Sequence, residues 1–177
     1  MSAAGPLQGA NRPPGGSAAA KPQAWGDPAS DRTPSEAQAL ADRVGASMLA
    51  SDRASRALGM RIESIGPGQA QMTMTVRDDM VNGHAICHGG YIFLLADSTF
   101  AFACNSYNRN TVAQGCSIDY VAPVRAGDVL HATGVERCRT GRTGVYDIEV
   151  RNQDGKTVAL FRGKSYRIDG HVVEEPS

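Results

Sequence analysis

One carboxylate interrupts the most apolar stretch of the sequence. Between Gly89 and Asn108 the only acid is Asp97, set among leucine, alanine and phenylalanine residues. A charge buried without a partner is costly or becomes neutralised. Asp97 is therefore paired, exposed in a cleft or chemically active. Bonding to the hydroxyl of Ser98 or Thr99, or to an arginine of the sheet, would make it structural, whereas a carboxylate in a cleft serves as a general base or a nucleophile.

Two consecutive glycines, Gly89 and Gly90, end the segment NGHAICHGG shortly before this acid. Glycine lets other groups approach the backbone closely. The first N–H groups of a helix have no partner within the helix, and they lie at the positive end of its dipole. A helix that begins here can bind an anion, including the oxyanion formed when a carbonyl is attacked. The alternative is a Gly-Gly turn that only redirects the chain.

Other reactive side chains precede the glycines. His88 could serve as a base and Cys87 as a nucleophile, but sequence neighbours rarely meet in hydrogen-bond geometry, and a Cys/His pair needs a third, orienting group. We therefore expect His88 and Asn82 to brace the loop or to polarise a bound group. His84, Cys87 and His88 offer three metal ligands without a matching pair downstream, so we predict no metal site.

The chain divides by composition into a tail and one domain. Residues 1–35 are rich in Ala, Gly, Pro and Ser, and such a segment cannot bury enough apolar area to offset its ordering entropy. We predict a disordered N-terminal tail over residues 1–35, a domain over 36–170 and a C-terminal tail over 171–177. Ser35 can cap a helix over about Glu36 to Ala50, because apolar residues recur there at three- and four-residue spacing: Ala39, Leu40, Val44 and Met48.

The domain itself combines strand and helix patterns. Period-two alternation on both sides of Gly66-Pro67-Gly68 predicts a hairpin. Charged or polar residues alternate with Met60, Ile62 and Ser64 before the turn and with Ala70, Met72, Met74 and Val76 after it. The stretch from Gly89 is apolar nearly all round, which predicts a buried helix of about 17 residues. Four more strands are predicted at Val112 to Tyr120, Val129 to Arg137, Gly144 to Val150 and Thr157 to Ile168.

This order predicts an α+β fold in which an antiparallel sheet packs on one long helix, because the later connections are too short for parallel crossovers. The 177 residues suffice for one core.

Eighteen basic residues balance eighteen acidic ones, so there is no basic face for nucleic acid. No apolar run approaches the ~20 residues that cross a bilayer, and no targeting pattern is present. We expect a cytoplasmic protein with no membrane partner and with free, buried cysteines.

The sequence resembles the phenylacetic acid degradation (PaaI-type) thioesterases of the hot-dog superfamily. The resemblance spans about residues 58–170 and rests on the motifs MVNGHAICHGG, LADSTFAFACNSYN, CSIDYVAP, RAGD, TGVYDIEV and VALFRGKSYRI. It implies a hot-dog fold, in which an antiparallel sheet of five to six strands wraps around one long central helix. It further implies dimers or tetramers with shared active sites, an acyl-CoA substrate and no separate cofactor.

The resemblance also implies roles for individual residues. Asp97 matches the family's catalytic acid, and Gly89 matches the glycine whose N–H polarises the thioester carbonyl. Gly90 is the alternative donor. Asn82 and His88 stand where the family keeps supporting polar groups. Two segments are expected to bind the coenzyme A arm and its phosphates: Arg142-Thr143-Gly144 and Arg162-Gly163-Lys164. The departures are residues 1–35 and the loop residues Ala85-Ile86.

Thioester hydrolysis is the function that these features favour, with phenylacetyl-CoA or its ring-hydroxylated forms as the substrates implied by the resemblance. Asp97 would act as base or as nucleophile, and the sequence leaves both open. Two alternatives use the same fold. An acyl-thioester hydratase would move a water with His88 and Asp97, and a non-catalytic module would bind acyl-CoA without releasing thiol.

Helix geometry predicts that the site is shared between two subunits. Gly89 and Asp97 are eight residues apart, or about 12 Å along one helix. A reacting carbonyl must lie about 3 Å from its hydrogen-bond donor and close to the acid or its water. A two-fold dimer meets both conditions, because symmetry can bring the helix start of one chain against the acid of the other.

Overall fold

The computed structural model describes residues 32–174, so most of the predicted N-terminal tail and residues 175–177 lie outside the described residues. Two helices precede a hairpin, a central helix and four strands. The elements are α1 (Pro34–Ser51), α2 (Arg53–Ala57), β1 (Arg61–Gly66), β2 (Gln69–Thr75), a 3-10 turn (Asp78–Met80), α3 (Gly89–Asn105), β3 (Thr111–Tyr120), β4 (Val129–Thr140), β5 (Thr143–Arg151) and β6 (Thr157–Arg167). The predicted order of hairpin, helix and four strands is confirmed.

Helix α1 begins earlier than its predicted cap. Thr33 is the N-cap, and it forms a capping box with Glu36: the Thr33 side chain accepts from the backbone N–H of Glu36, whose carboxylate accepts from the Thr33 N–H at 2.8 Å. Pro34 occupies the first helical position, where its fixed φ suits a helix. The prediction that Ser35 caps this helix is therefore wrong, since Ser35 lies inside the first turn.

The six strands form one antiparallel sheet in the order β1-β2-β4-β5-β6-β3. This confirms the predicted α+β architecture and places β1 and β3 at the two edges. In β1 the predicted alternation fails after Ile62, because a β-bulge lies between Ile62 and Ser64. Ile65 is buried as a result, and Ser64 is exposed.

Helix α3 packs on one face of the sheet and supplies much of the core. Its Leu95, Phe100 and Phe102 are almost fully buried, and the Phe100 ring lies 5.5 Å from that of Tyr146 between centroids. A Cβ atom on Gly163 would lie 2.7 Å from the Phe100 ring, so the missing side chain allows the ring to approach the sheet. This packing fixes α3, and with it Asp97, against the strands.

The first residues of the predicted C-terminal tail are attached to the domain. The Val173 N–H donates to Asn108 Oδ1 at 2.8 Å, and Asn108 Nδ2 donates to the Val173 carbonyl at 2.9 Å. Arg43 also donates to the Glu174 carbonyl at 2.6 Å. Within residues 32–174 no helix is long and apolar enough to span a membrane.

The four cysteines are free, as predicted, but only two of them are buried. Cys87 and Cys104 lie in the interior, whereas Cys116 and Cys138 are exposed. The prediction that all four are buried is wrong for the latter two, because Cys116 lies on the edge strand β3 and Cys138 lies in the exposed last part of β4.

Candidate active site

A tight turn leads into α3. Val81 and Cys87 form an isolated antiparallel bridge, and between them the Asn82 N–H donates to the Ile86 carbonyl at 2.8 Å. The Asn82 side chain accepts from the His84 N–H at 2.9 Å. Ala85 completes the turn with a φ of 56°, which is unusual for a residue with a Cβ. Asn82 thus stabilises the turn through its backbone and its side chain.

His88 caps the helix. Its backbone is extended, and its Nδ1 accepts from the Gly90 N–H at 3.0 Å. Its own N–H donates to the Met80 carbonyl at 2.8 Å, which ties the cap to the preceding turn. His88 therefore fixes the start of α3 through these two hydrogen bonds.

The cap separates the two predicted oxyanion donors. The Gly90 N–H is already bonded to His88, whereas the Gly89 N–H has no hydrogen-bond partner among residues 32–174. The first turn of α3 carries no acidic residue, so nothing there neutralises the positive end of the dipole. Gly89 is thus the N–H group that stays available to an oxyanion.

Tyr120 closes over the helix start from the end of β3. Its hydroxyl donates to the Gly89 carbonyl at 2.9 Å, and its ring lies 3.0 Å from where a Cβ on Gly89 would stand. The sequence predicted Tyr120 as the last residue of a strand, within the motif CSIDYVAP, and gave it no role in the site. Nothing in the sequence shows that β3 lies beside α3, and the contact follows from that packing alone.

Asp97 is half-buried on α3, and a thiol contacts it. Cys116 Sγ donates to Asp97 Oδ1 at 3.7 Å. Burial raises the pKa of Asp97 above its ordinary value, and the bond from Cys116 lowers it in part. A carboxylate in this state is a stronger base than an exposed one.

The neighbours that would give Asp97 a structural role are engaged elsewhere. The Ser98 hydroxyl lies 2.9 Å from that of Ser55, and the Thr99 hydroxyl donates to the Leu95 carbonyl at 2.8 Å. Within the described part of the chain no arginine or lysine forms an ion pair with Asp97. The structural alternative for Asp97 therefore lacks the partners that it requires.

Cys87 is poorly suited to attack a carbonyl. It is buried, its thiol contacts the His88 carbonyl at 3.6 Å, and burial raises its pKa to about 11. The thiolate, which is the nucleophilic form, is therefore scarce near neutral pH. Residues 32–174 also contain no group of three or more His, Cys, Asp or Glu side chains placed to hold a metal ion.

The two predicted coenzyme A segments lie in different places. Arg142 stands at the turn between β4 and β5, where its carbonyl accepts from the Arg167 N–H at 2.7 Å and its side chain pairs with Asp169 at 3.0 Å. Arg109, Arg142 and Arg167 line a cavity of about 270 Å³. The sequence did not single out Arg109 or Arg167, because only the pairing of β6 with both β3 and β5 brings them to Arg142. The Thr143 hydroxyl donates to the nearby Thr140 carbonyl at 3.1 Å.

The second segment belongs to the sheet rather than to this cavity. Arg162 donates two hydrogen bonds to Asp147, at 2.7 and 2.9 Å, and Lys164 is exposed on the same strand. Gly163 points the other way, against Phe100, and a Cβ on Gly144 would lie 2.7 Å from the Ser165 hydroxyl oxygen. Both glycines thus serve close packing.

Comparison with known proteins places this arrangement in a family. The model of the thioesterase superfamily matches residues 84–159. The acyl-coenzyme A thioesterase PaaI of Escherichia coli (strain K12) is 52% identical over 128 residues, which cover 72% of this chain and 91% of that protein.

Comparison with solved structures supports the same family. The E. coli PaaI protein from the phenylacetic acid degradation operon superposes with a TM-score of 0.75 at 50% identity, covering 76% of this chain and 97% of that one. A Streptococcus mutans UA159 protein bound to acetyl CoA superposes with a TM-score of 0.61 at 28% identity, covering 63% and 90%. The chain therefore belongs to the thioesterase superfamily and is an enzyme with the hot-dog fold.

Proposed function

We propose that this enzyme hydrolyses aryl-acetyl-CoA thioesters, phenylacetyl-CoA or hydroxyphenylacetyl-CoA, to the free acid and coenzyme A. The observation that carries the proposal is Asp97: a half-buried carboxylate with a raised pKa and no cationic partner among the described residues, on the helix that begins with the open Gly89 N–H. The aryl-acetyl group is supported by the E. coli relative, whose structure is described as that of a protein from the phenylacetic acid degradation operon.

The reaction uses two groups of the protein. The Gly89 N–H and the helix dipole polarise the thioester carbonyl and stabilise the tetrahedral oxyanion. The ionised Asp97 either takes a proton from the attacking water or attacks the carbonyl itself, in which case water later cleaves the resulting anhydride. In both routes the C–S bond breaks when the tetrahedral intermediate collapses, before water cleaves any anhydride, and the departing coenzyme A thiolate takes up a proton. Both routes release one thiol and one carboxylate per thioester.

A second copy of the chain completes the site. Gly89 and Asp97 lie about 12 Å apart along α3, too far for one carbonyl to meet both. Strand β3 is the sheet edge opposite β1 and is exposed along most of its length. An edge strand offers unpaired backbone groups to another strand, and pairing of two β3 strands about a two-fold axis would bring each helix start towards the acid of the other chain.

The arginine cavity suits the phosphates of coenzyme A. Arg109, Arg142 and Arg167 converge there, and guanidinium groups bind phosphate through paired hydrogen bonds. The cavity lies near the end of α3, since the Asn105 amide bonds to the Thr111 backbone at the start of β3. Asp97 is eight residues, about 12 Å, from that end, so the extended pantetheine arm would join the two places.

A thiol-release assay over a panel of acyl-CoAs tests the proposal. We expect kcat/KM for phenylacetyl-CoA and 4-hydroxyphenylacetyl-CoA to exceed that for acetyl-CoA and hexanoyl-CoA by about tenfold or more, a difference within the reach of acyl-pocket contacts. Equal rates across the panel would contradict the aryl-acetyl assignment. Absence of thiol release with every member would contradict hydrolysis itself, and hydration of an enoyl-CoA without thiol release would favour the hydratase alternative.

A further inference from the structure

Strand β3 touches both parts of the candidate site. Cys116 contacts Asp97, and Tyr120 contacts Gly89. The two β3 residues are four positions apart, about 13 Å at ~3.3 Å per residue. The two α3 residues are eight positions apart, about 12 Å at ~1.5 Å per residue. The distance between the two contacts is therefore nearly the same along β3 as along α3, so the strand runs beside the helix.

A β-bulge gives Cys116 this orientation. The pairing of β3 with β6 shifts register between Ala113 and Gly115. Side chains alternate between the two faces of a strand, so an extra residue reverses which positions face the helix. Beyond the bulge, Cys116 pairs with Gly163, and a Cβ atom on Gly163 would point at Phe100 of α3. Directly paired residues face the same side of a sheet, so the Cys116 side chain also faces α3. Without the bulge the thiol would point to the outer face of the sheet.

We infer that Cys116 is a positioning residue for the hydrolysis: its thiol holds one oxygen of Asp97 and leaves the other oxygen free for water or the thioester carbonyl. This inference rests on the proposed function, since it concerns how Asp97 is presented to the substrate. Cys116 does not itself touch the reacting atoms.

A thiol suits this role better than a cation does. An arginine or lysine beside Asp97 would lower the pKa of the carboxylate and weaken it as a base. An S–H group is a weak donor, so it orients the carboxylate and lowers its pKa only in part. Partial burial and the charge of Asp97 raise the pKa of Cys116 to about 11. The thiol therefore keeps its proton near neutral pH and remains a donor.

Few other groups act on Asp97. The charge of Asp97 contributes to the raised pKa of the Cys104 thiol on the same helix. The hydroxyl of Ser98 turns to Ser55 on α2. From the strands that pack on α3, no charged side chain of residues 32–174 bonds to Asp97, and Cys116 of β3 is its hydrogen-bond partner. Removing the Cys116 thiol should therefore change the titration of Asp97 directly.

The test compares Cys116→Ala and Cys116→Val with the wild type. Both variants lack the donor, and valine also suits a strand. We expect kcat on the high-pH plateau to fall about 3- to 10-fold, as for the loss of one modest hydrogen bond, with KM nearly unchanged. Without the bond that lowers it, the Asp97 pKa rises, so the acidic limb of the kcat/KM profile moves to higher pH. A ¹³C titration of the Asp97 carboxyl, identified by its loss from the Asp97→Asn spectrum, should move in the same direction.

Matched variants at Cys138 serve as controls. Cys138 is exposed on β4, and its thiol contacts Thr140, so Cys138→Ala and Cys138→Val should keep the wild-type profile. Folded Cys116 variants with wild-type kcat, acidic limb and carboxyl titration would overturn the inference. That result leaves hydrolysis intact if Asp97→Asn is inactive, whereas an active Asp97→Asn would overturn the proposed function instead.

Discussion

At the scale of single residues, Asp97 differs in kind from the carboxylates on the surface. Donor groups lower the pKa of several of these: Asp79, Asp128, Asp147 and Glu149. Burial instead raises the pKa of Asp97. The sequence singled out Asp97 because an acid in an apolar helix is conspicuous. It could not reveal Cys116 or Tyr120 as neighbours, since both contacts depend on how β3 packs against α3.

This difference predicts that the Asp97→Asn variant is less active but more stable than the wild type near neutral pH. The folded pKa of Asp97 lies above its unfolded value, so the stability it contributes is present below the unfolded pKa and is lost as pH rises through the folded pKa. Asparagine never ionises. The Tm of Asp97→Asn should therefore exceed that of the wild type near neutral pH, and the gap should close as pH falls into the acidic range.

Calorimetry across this pH range measures the effect, and thiol release should fall about 100-fold or more in the same variant. An Asp97→Asn protein with a Tm at or below the wild-type value at neutral pH would show that the ionised carboxylate is not destabilising. The burial account of its pKa would then fail.

At the scale of elements, the start of α3 shows what a pattern can and cannot predict. The two glycines and the apolar run predicted the helix and its first residue correctly. The capping role of His88 was missed, because common N-caps are Ser, Thr, Asp and Asn. The bulges in β1 and β3 were missed for a related reason, since an inserted residue reverses the alternation without changing composition.

Substitution of His88 separates a capping role from a chemical one. His88→Asn retains a side chain that can cap a helix, so it should keep thiol release within about threefold of wild type. His88→Ala loses the cap, which costs about 1 kcal/mol, or roughly 2 to 4 °C in Tm for a protein of this size. A stable His88→Asn variant with activity as low as that of Asp97→Asn would contradict the capping role and would place the imidazole in the reaction.

At the scale of the whole molecule, one chain holds the parts of the site but keeps them apart. The open N–H of Gly89 and the carboxylate of Asp97 occupy different turns of α3. Strand β3, an exposed edge of the sheet, contacts the carboxylate through Cys116 and the Gly89 carbonyl through Tyr120. A cavity of about 560 Å³ lies elsewhere, on the sheet face that carries Arg137, Asp147 and Arg162. The fold could be predicted because periodicity and connection lengths constrain it. The cavity lined by Arg109, Arg142 and Arg167 could not be predicted, because these arginines come from three distant parts of the chain.

Complementation between two inactive variants tests the shared site most directly. Gly89→Pro removes the N–H at the first helical position, where proline fits a helix and the extended His88 suits the residue before it. Its new side chain also meets Tyr120. Gly89→Ala is the matched control, because it adds the Cβ and keeps the N–H. It should therefore retain most of the activity that Gly89→Pro loses.

The decisive measurement is thiol release by heterodimers of Asp97→Asn and Gly89→Pro, formed by co-expression and verified with a different tag on each chain. Each homodimer should be nearly inactive, because every site in it lacks either the acid or the donor. A heterodimer carries one intact and one doubly altered site, so random mixing of equal amounts should restore about a quarter of wild-type activity. Verified heterodimers of folded variants that recover no activity would contradict a site built from Asp97 of one subunit and the α3 start of the other.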